Sequence, residues 1–311
     1  SDDVSPETPA LATLTSRRCF EVLVGRGLST HFIIDWAGTI DELLPAMAAM
    51  GVEKTVQVNF TPVWDMLQAG LRRLPAGLAG DARAAAKTEL RVELAGRVVR
   101  RNQWTCEMAA AHPDRLVAYV GIDPVQEPEA MAVDLEDCAG RGARGVKLHT
   151  VLQHVSPSDR RLYPGYEVMQ RRGMALLAHA GPIEIAADDA DQDIGRPNAF
   201  AALARDFPRL TIVLAHCGGK PFYQEAAALA EVHPNVNFDC TGQVFGFDRG
   251  ARSDEDIVAM FRTIGIDRVM FGSDWAFLDP LPDIRRIEAL PLSITEKRMI
   301  LADNARRILG L

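Results

Sequence analysis

The chain lacks any apolar run of about 18 residues, the length a helix needs to cross a bilayer. It also lacks a basic excess. Lys and Arg number 34 against 42 Asp and Glu, a net charge of −8. That balance disfavours a nucleic-acid backbone as partner and leaves a small molecule as the expected one, with no membrane and no nucleic acid involved. Residues 1–15 are polar, carry Asp2, Asp3 and Glu7, and have neither the basic start nor the apolar core of a secretion signal. They read as a flexible tail ahead of one domain over 16–311. Cysteine is sparse and scattered. Cys19, Cys106, Cys138, Cys217 and Cys240 form no Cys-x-x-Cys pair, which excludes a disulfide framework and a four-thiolate zinc site. Reduced thiols in a cytoplasmic protein are expected.

What is present is alternation. Short apolar runs occur at 30–35 (THFIID), 55–60, 116–122, 145–149, 175–180, 211–216, 236–240 and 268–272, with helical patterns between them. Their Val, Ile and Leu content is what a parallel strand covered on both faces requires. Helical stretches at 41–50, 129–140, 166–172, 199–206, 223–232 and 254–264 end at Gly or near Pro, which marks each following strand. Eight strand–helix alternations without a second composition regime predict an α/β fold, a (β/α)8 TIM barrel. Two segments exceed the minimal unit. Residues 63–101 predict an inserted helical segment, Ala/Arg/Glu-rich after Gly80. Residues 184–198 form an acidic loop with Asp188, Asp189, Asp191 and Asp193, either a mobile loop at the site or a solvated one.

In such a barrel the working groups sit where strands end. The apolar runs do end in chemistry. His149, His179 and His216 close three of them, Asp274 follows the last, and His31 lies in the first. Imidazoles and a carboxylate suit a divalent ion, zinc before manganese, with an open position for water. Lys147 and His149 should share a face and are candidates to hold a carboxylate or polarise a carbonyl. Trp275, with Phe245 and Phe277, is a candidate aromatic contact for a flat substrate. His112 and His233 precede prolines at helix ends and read as structural, while His154 stays unassigned.

Several pieces of the chain, in this order, resemble the amidohydrolase superfamily, specifically the amidohydrolase-2 group of metal-dependent hydrolases and decarboxylases. They are Asn102-Gln103-Trp104, His112-Pro113-Asp114-Arg115-Leu116, Gly142-Ala143-Arg144-Gly145-Val146-Lys147-Leu148-His149, Leu176-Leu177-Ala178-His179, Val213-Leu214-Ala215-His216-Cys217-Gly218-Gly219, Pro234-Asn235-Val236, Phe271-Gly272-Ser273-Asp274-Trp275 and Asp303-Asn304-Ala305-Arg306-Arg307-Ile308-Leu309. The resemblance implies that His179 is a metal ligand, His216 lies near metal and substrate, and Asp274 is both ligand and acid/base. The group's first strand carries Asp-x-His-x-His. Here the matching stretch keeps His31 and puts Ile33 where the second imidazole belongs, with Asp35 one further step along that face. Residues 19–24 are an alternative first strand with no histidine at all.

Three arrangements follow: a metal on His31, His179 and Asp274; a shifted site recruiting His149, Asp35 or His216; or a metal-free barrel, catalytic by other means or purely binding. Three protein ligands plus water suffice for a catalytic ion. Hydrolysis of a lactone, ester or amide by metal-activated water, with Asp274 as acid/base and His216 assisting, is the first expectation. Non-oxidative decarboxylation of an aromatic or unsaturated acid is the alternative. Members of the group often pair, so a homo-oligomer is expected without a contact to name.

Overall fold

The computed structural model describes residues 10–15, 39–183, 191–245 and 252–311. Eight strands run in chain order, each parallel to the next. They are β1 (Ala10–Thr15), β2 (Val52–Val58), β3 (Leu116–Gly121), β4 (Gly145–Leu148), β5 (Ala175–Ala178), β6 (Ile212–Leu214), β7 (Val236–Asp239) and β8 (Val269–Met270). The helices are α1 (Ile40–Ala49), α2 (Val63–Arg72), α3 (Gly80–Ala111), α4 (Pro128–Gly140), α5 (Thr150–Gln153), α6 (Tyr163–Arg172), α7 (Ala201–Asp206), α8 (Tyr223–Val232), α9 (Asp254–Ile264), α10 (Pro280–Ala289), α11 (Ile294–Arg298) and α12 (Asn304–Leu309). Strand after helix in unbroken order is the expected α/β barrel. Among the described residues no helix is long and apolar enough to cross a membrane.

The first strand corrects the sequence reading. Residues 10–15, assigned to a tail, form the strand that pairs with β2, Leu11 opposite Lys54 and Thr15 opposite Val58. The stretches 30–35 and 19–24, each read as a possible first strand, lie outside the described residues, and so do His31, Ile33 and Asp35. The inserted segment is two helices, α2 and α3, and α3 runs ten residues beyond the expected end at 101, to Ala111.

Strands β3 to β8 bury both faces, and their alternation sorts the core into two layers. Leu116, Ala118, Val120, Val146, Leu148, Leu176, Ala178, Ile212, Leu214, Val236, Phe238 and Val269 pack outward with the helices. Val117, Tyr119, Leu177, Val213 and Met270 pack together inside the barrel. A residue two steps beyond an inward residue points inward again. Gly145 is required here. It pairs with Tyr119, and a Cβ at 145 would sit 2.3 Å from the Tyr119 ring.

Asn102 ties the long helix to this sheet. Its amide nitrogen donates to Gly121 O (2.9 Å) and Asp134 Oδ2 (2.8 Å), and its oxygen accepts from Gly121 N (2.8 Å) and Asn59 Nδ2 (3.1 Å). A buried side-chain amide with both ends used satisfies strand, helix and loop at once. Burial holds the Asp134 carboxyl above its ordinary range. His112 and His233 cap the ends of α3 and α8, as helix-terminal residues should. The four described cysteines, Cys106, Cys138, Cys217 and Cys240, are buried and free.

Candidate active site at the strand ends

The inward register that lines the barrel continues past the last hydrogen-bonded residue of each strand. On β4, Val146 and Leu148 face the helices, so Lys147 and His149 face the interior, 8% and 7% exposed. On β5, Leu177 faces inward and His179 follows on the same side. The His149 and His179 rings stack with centroids 4.0 Å apart and 9° between planes. His216 approaches from the end of β6, its Nε2 3.1 Å from His179 Nδ1. Asp274, beyond β8, places Oδ2 4.0 Å from that same Nε2. Residues 149, 179, 216 and 274 therefore converge at one end of the barrel.

The chain is tightly constrained there. His216, Cys217 and Asp274 have φ of 60°, 52° and 50°, the left-handed region that costs a side chain with a Cβ. Such residues persist only where surrounding contacts hold them, and they gather at functional sites. Gly219 and Gly181 let the loops after β6 and β5 touch. A Cβ on either would lie 2.6 Å from the other's Cα. At β7, Asp239 is buried and its Oδ1 accepts from the backbone amides of His216 (3.1 Å) and Thr241 (3.0 Å). Thr241 O in turn lies 3.0 Å from His216 Nδ1.

Burial dominates the electrostatics. It holds the His149 imidazole well below its ordinary pKa, with the Lys147 charge and His216 adding to the effect. His179 is lowered in the same way by burial first, then by His149, His216 and Lys147. Burial therefore favours the neutral form of both rings. His149 Nδ1 accepts weakly from Leu152 N (3.4 Å), so its proton belongs on Nε2. Behind it, Gln153 accepts from His149 N (2.7 Å) and donates to Asp123 Oδ2 (2.9 Å), whose carboxyl burial raises to about 6.

These residues can be tested against a divalent ion. Neutral imidazole is the form a metal binds. His179 Nε2 is buried and without a hydrogen-bond partner among the described residues, as a nitrogen reserved for an external group would be. The donor types fit. Among the described residues, however, no three His, Cys, Asp or Glu side chains are grouped to hold an ion. His179 and Asp274 would need a third ligand, and the one expected from the sequence, His31, is outside the described residues.

Other expectations are redistributed. Trp275, expected against substrate, is 2% exposed and packs in the core between sheet and helices. Phe60 and Leu152 form a separate apolar cluster, with Ile183 and Phe277 packed against them. Phe60 lies 5.3 Å from the His149 ring. Phe60, which ends an apolar run, and Asp239, which shares the inward parity of β7, adjoin the histidine group although no motif marks them. His154 stacks on Trp64 of α2 at 4.3 Å, away from the imidazole group's contacts. In the acidic loop, residues 184–190 lie outside the described residues. Asp191 caps Asp193 N, and Arg196 pairs with Glu225, both local supports.

The family model described as Amidohydrolase matches residues 63–311. The chain belongs to the amidohydrolase family, and it is an enzyme, hydrolase or decarboxylase. No curated protein sequence matches it significantly. Among solved structures it is similar to 5-carboxyvanillate decarboxylase from Sphingomonas paucimobilis, with 18% identity, 98% of this chain and 99% of that one covered, and a TM-score of 0.66. It is similar to an uncharacterized TIM-barrel protein from Bordetella bronchiseptica, with 20% identity, coverage of 97% and 98%, and a TM-score of 0.69. It also resembles 5-carboxyvanillate decarboxylase from Novosphingobium aromaticivorans, complexed with manganese and 4-hydroxy-3-methoxy-5-nitrobenzoic acid. Identity there is 14%, coverage 100% and 98%, TM-score 0.66. At these identities the likeness concerns the fold.

Proposed function

We infer that the chain is a divalent-metal-dependent decarboxylase that removes CO2 non-oxidatively from a flat aromatic or unsaturated carboxylic acid. The observation that carries this reading is an apolar wall of Phe60, Leu152 and Phe277 beside a buried Lys147 and neutral imidazoles. A planar ring suits the wall, and an anionic substituent suits the lysine. In the reaction the bond between ring carbon and carboxyl carbon breaks. Its electron pair stays on the ring carbon, CO2 leaves, and a proton takes the vacated position. Asp274 is assigned that proton delivery, with the His216 ring beside it, Nε2 4.0 Å from Oδ2. An apolar surround favours the step, because it loses a charged carboxylate to a neutral gas.

His179 and Asp274 would hold the ion, with His31 the third ligand that the sequence suggests. A divalent cation supplies positive charge that stabilises the negative charge developing on the substrate. Zinc is the first expectation from the donor types, and the manganese bound in the Novosphingobium relative makes it an equal candidate. Hydrolysis of a lactone, ester or amide becomes the second reading, favoured by the family description. It uses the same Asp274 with water in place of carbon. Turnover of a panel of hydroxylated aromatic acids and lactones, with zinc or manganese and with chelator, separates the two. Loss of acid with release of CO2 supports decarboxylation. Turnover of lactones alone refutes it.

A further inference from the structure

The hydrogen bonds around His216 have a direction that chemistry imposes. A backbone carbonyl can only accept, so the 3.0 Å contact of His216 Nδ1 with Thr241 O requires a proton on Nδ1. A neutral His216 then carries its lone pair on Nε2. His179 Nδ1, 3.1 Å away, must donate to it. His179 is left with an unprotonated Nε2, the buried atom with no partner among the described residues. One interaction therefore sets the protonation of two rings.

That interaction depends on where Thr241 O is aimed, and a single carboxylate aims it. Asp239 is 1% exposed, and its Oδ1 gathers the amides of His216 and Thr241, 3.1 Å and 3.0 Å away. It thereby joins the ends of β6 and β7 at the point where His216 and Cys217 adopt left-handed backbone that needs outside support. A charge-assisted acceptor for two backbone donors is stronger than a neutral one.

We propose that Asp239 is a positioning residue that locks His216 and His179 with both protons on Nδ1 and so presents the His179 Nε2 lone pair to the active site. The side chain itself touches neither reacting atoms nor a metal. It acts through Thr241 O and His216. The kinetic consequence rests on the decarboxylase reading above, whereas the protonation pattern does not.

The test uses the full chain, free of metal, with 15N-labelled imidazoles and two-bond 1H–15N correlation spectra, the rings assigned with His216→Gln and His179→Gln. His216 and His179 are expected as Nδ1–H tautomers in the parent. Asp239→Asn keeps Oδ1 and is expected to preserve both. Asp239→Ala is expected to release His216 to a mixture of tautomers and to lower kcat about 10²-fold with KM little changed, the loss typical of a misplaced catalytic group. A parent His216 protonated on Nε2 overturns the proposal, as does a folded Asp239→Ala variant that keeps both tautomers. If the Ala variant does not fold, Asp239→Ser, whose shorter hydroxyl cannot hold both amides, takes its place, and unchanged tautomers there overturn the proposal. A protein with the expected tautomers that decarboxylates nothing would sink the function and leave this inference standing.

Discussion

His149 offers a prediction whose size follows from its surroundings. Its ring is 7% exposed, stacked on His179 and beside Lys147, and its pKa lies well below the ordinary value near 6.5. The folded protein thus keeps the ring neutral where the unfolded chain protonates it. For a group with a depressed folded pKa, stability is complete above the unfolded pKa and is lost as pH falls below it. Between pH 7.5 and 5.5 this single ring should cost the fold about 1.4 kcal/mol. Other groups titrate in the same window. Asp123, raised to about 6, works in the opposite direction, gaining a proton in the folded state first. The measurement is therefore a difference. Urea unfolding of the parent and of His149→Asn, which keeps an acceptor for Leu152 N, is compared at both pH values with chelator present. The variant should lose about 1.4 kcal/mol less than the parent over that range. Equal losses in the two proteins would mean that His149 is not desolvated, and the account of the neutral imidazole array would fail.

Three further outcomes follow. Asn102→Ala removes four hydrogen bonds and strands buried partners on Gly121, Asp134 and Asn59, so urea unfolding should show a loss of roughly 3 kcal/mol or more; a loss under about 1 kcal/mol would contradict its role as a tie. Asp274→Asn should abolish turnover while circular dichroism remains that of the parent, and turnover at the parental rate would remove Asp274 from the chemistry. His179→Ala should lower the bound zinc or manganese measured by elemental analysis, and unchanged occupancy would exclude it as a ligand.

Much of this arrangement is legible in the sequence because barrel strands obey a simple rule. Runs such as residues 145–149 and 175–180 are mainly apolar with a histidine at or next to the end, and parity then places Lys147, His149 and His179 on the inner side. Helices with clear stops, α8 and α9, match their sequence limits of 223–232 and 254–264. The failures have physical reasons as well. Ala10–Thr15 mixes small and hydroxyl residues after an acidic stretch, and only its pairing with β2, a contact distant in sequence, makes it a strand. Trp275 suits a flat substrate by residue type, but adjacent residues near a strand end point in opposite directions, and next to Asp274 it lies in the core. Asp239 escaped notice because its partners are backbone amides, which leave no signature in residue type.

The central claim is that Asp274 hands a proton to the carbon that loses CO2. Turnover of an aromatic acid in D2O by the metal-loaded protein, with the product read by mass spectrometry and NMR, tests it directly. One deuterium at the vacated ring position, one CO2 per product, and no product from Asp274→Asn are expected. Deuterium-free product, or acids left untouched while a lactone opens, would contradict it.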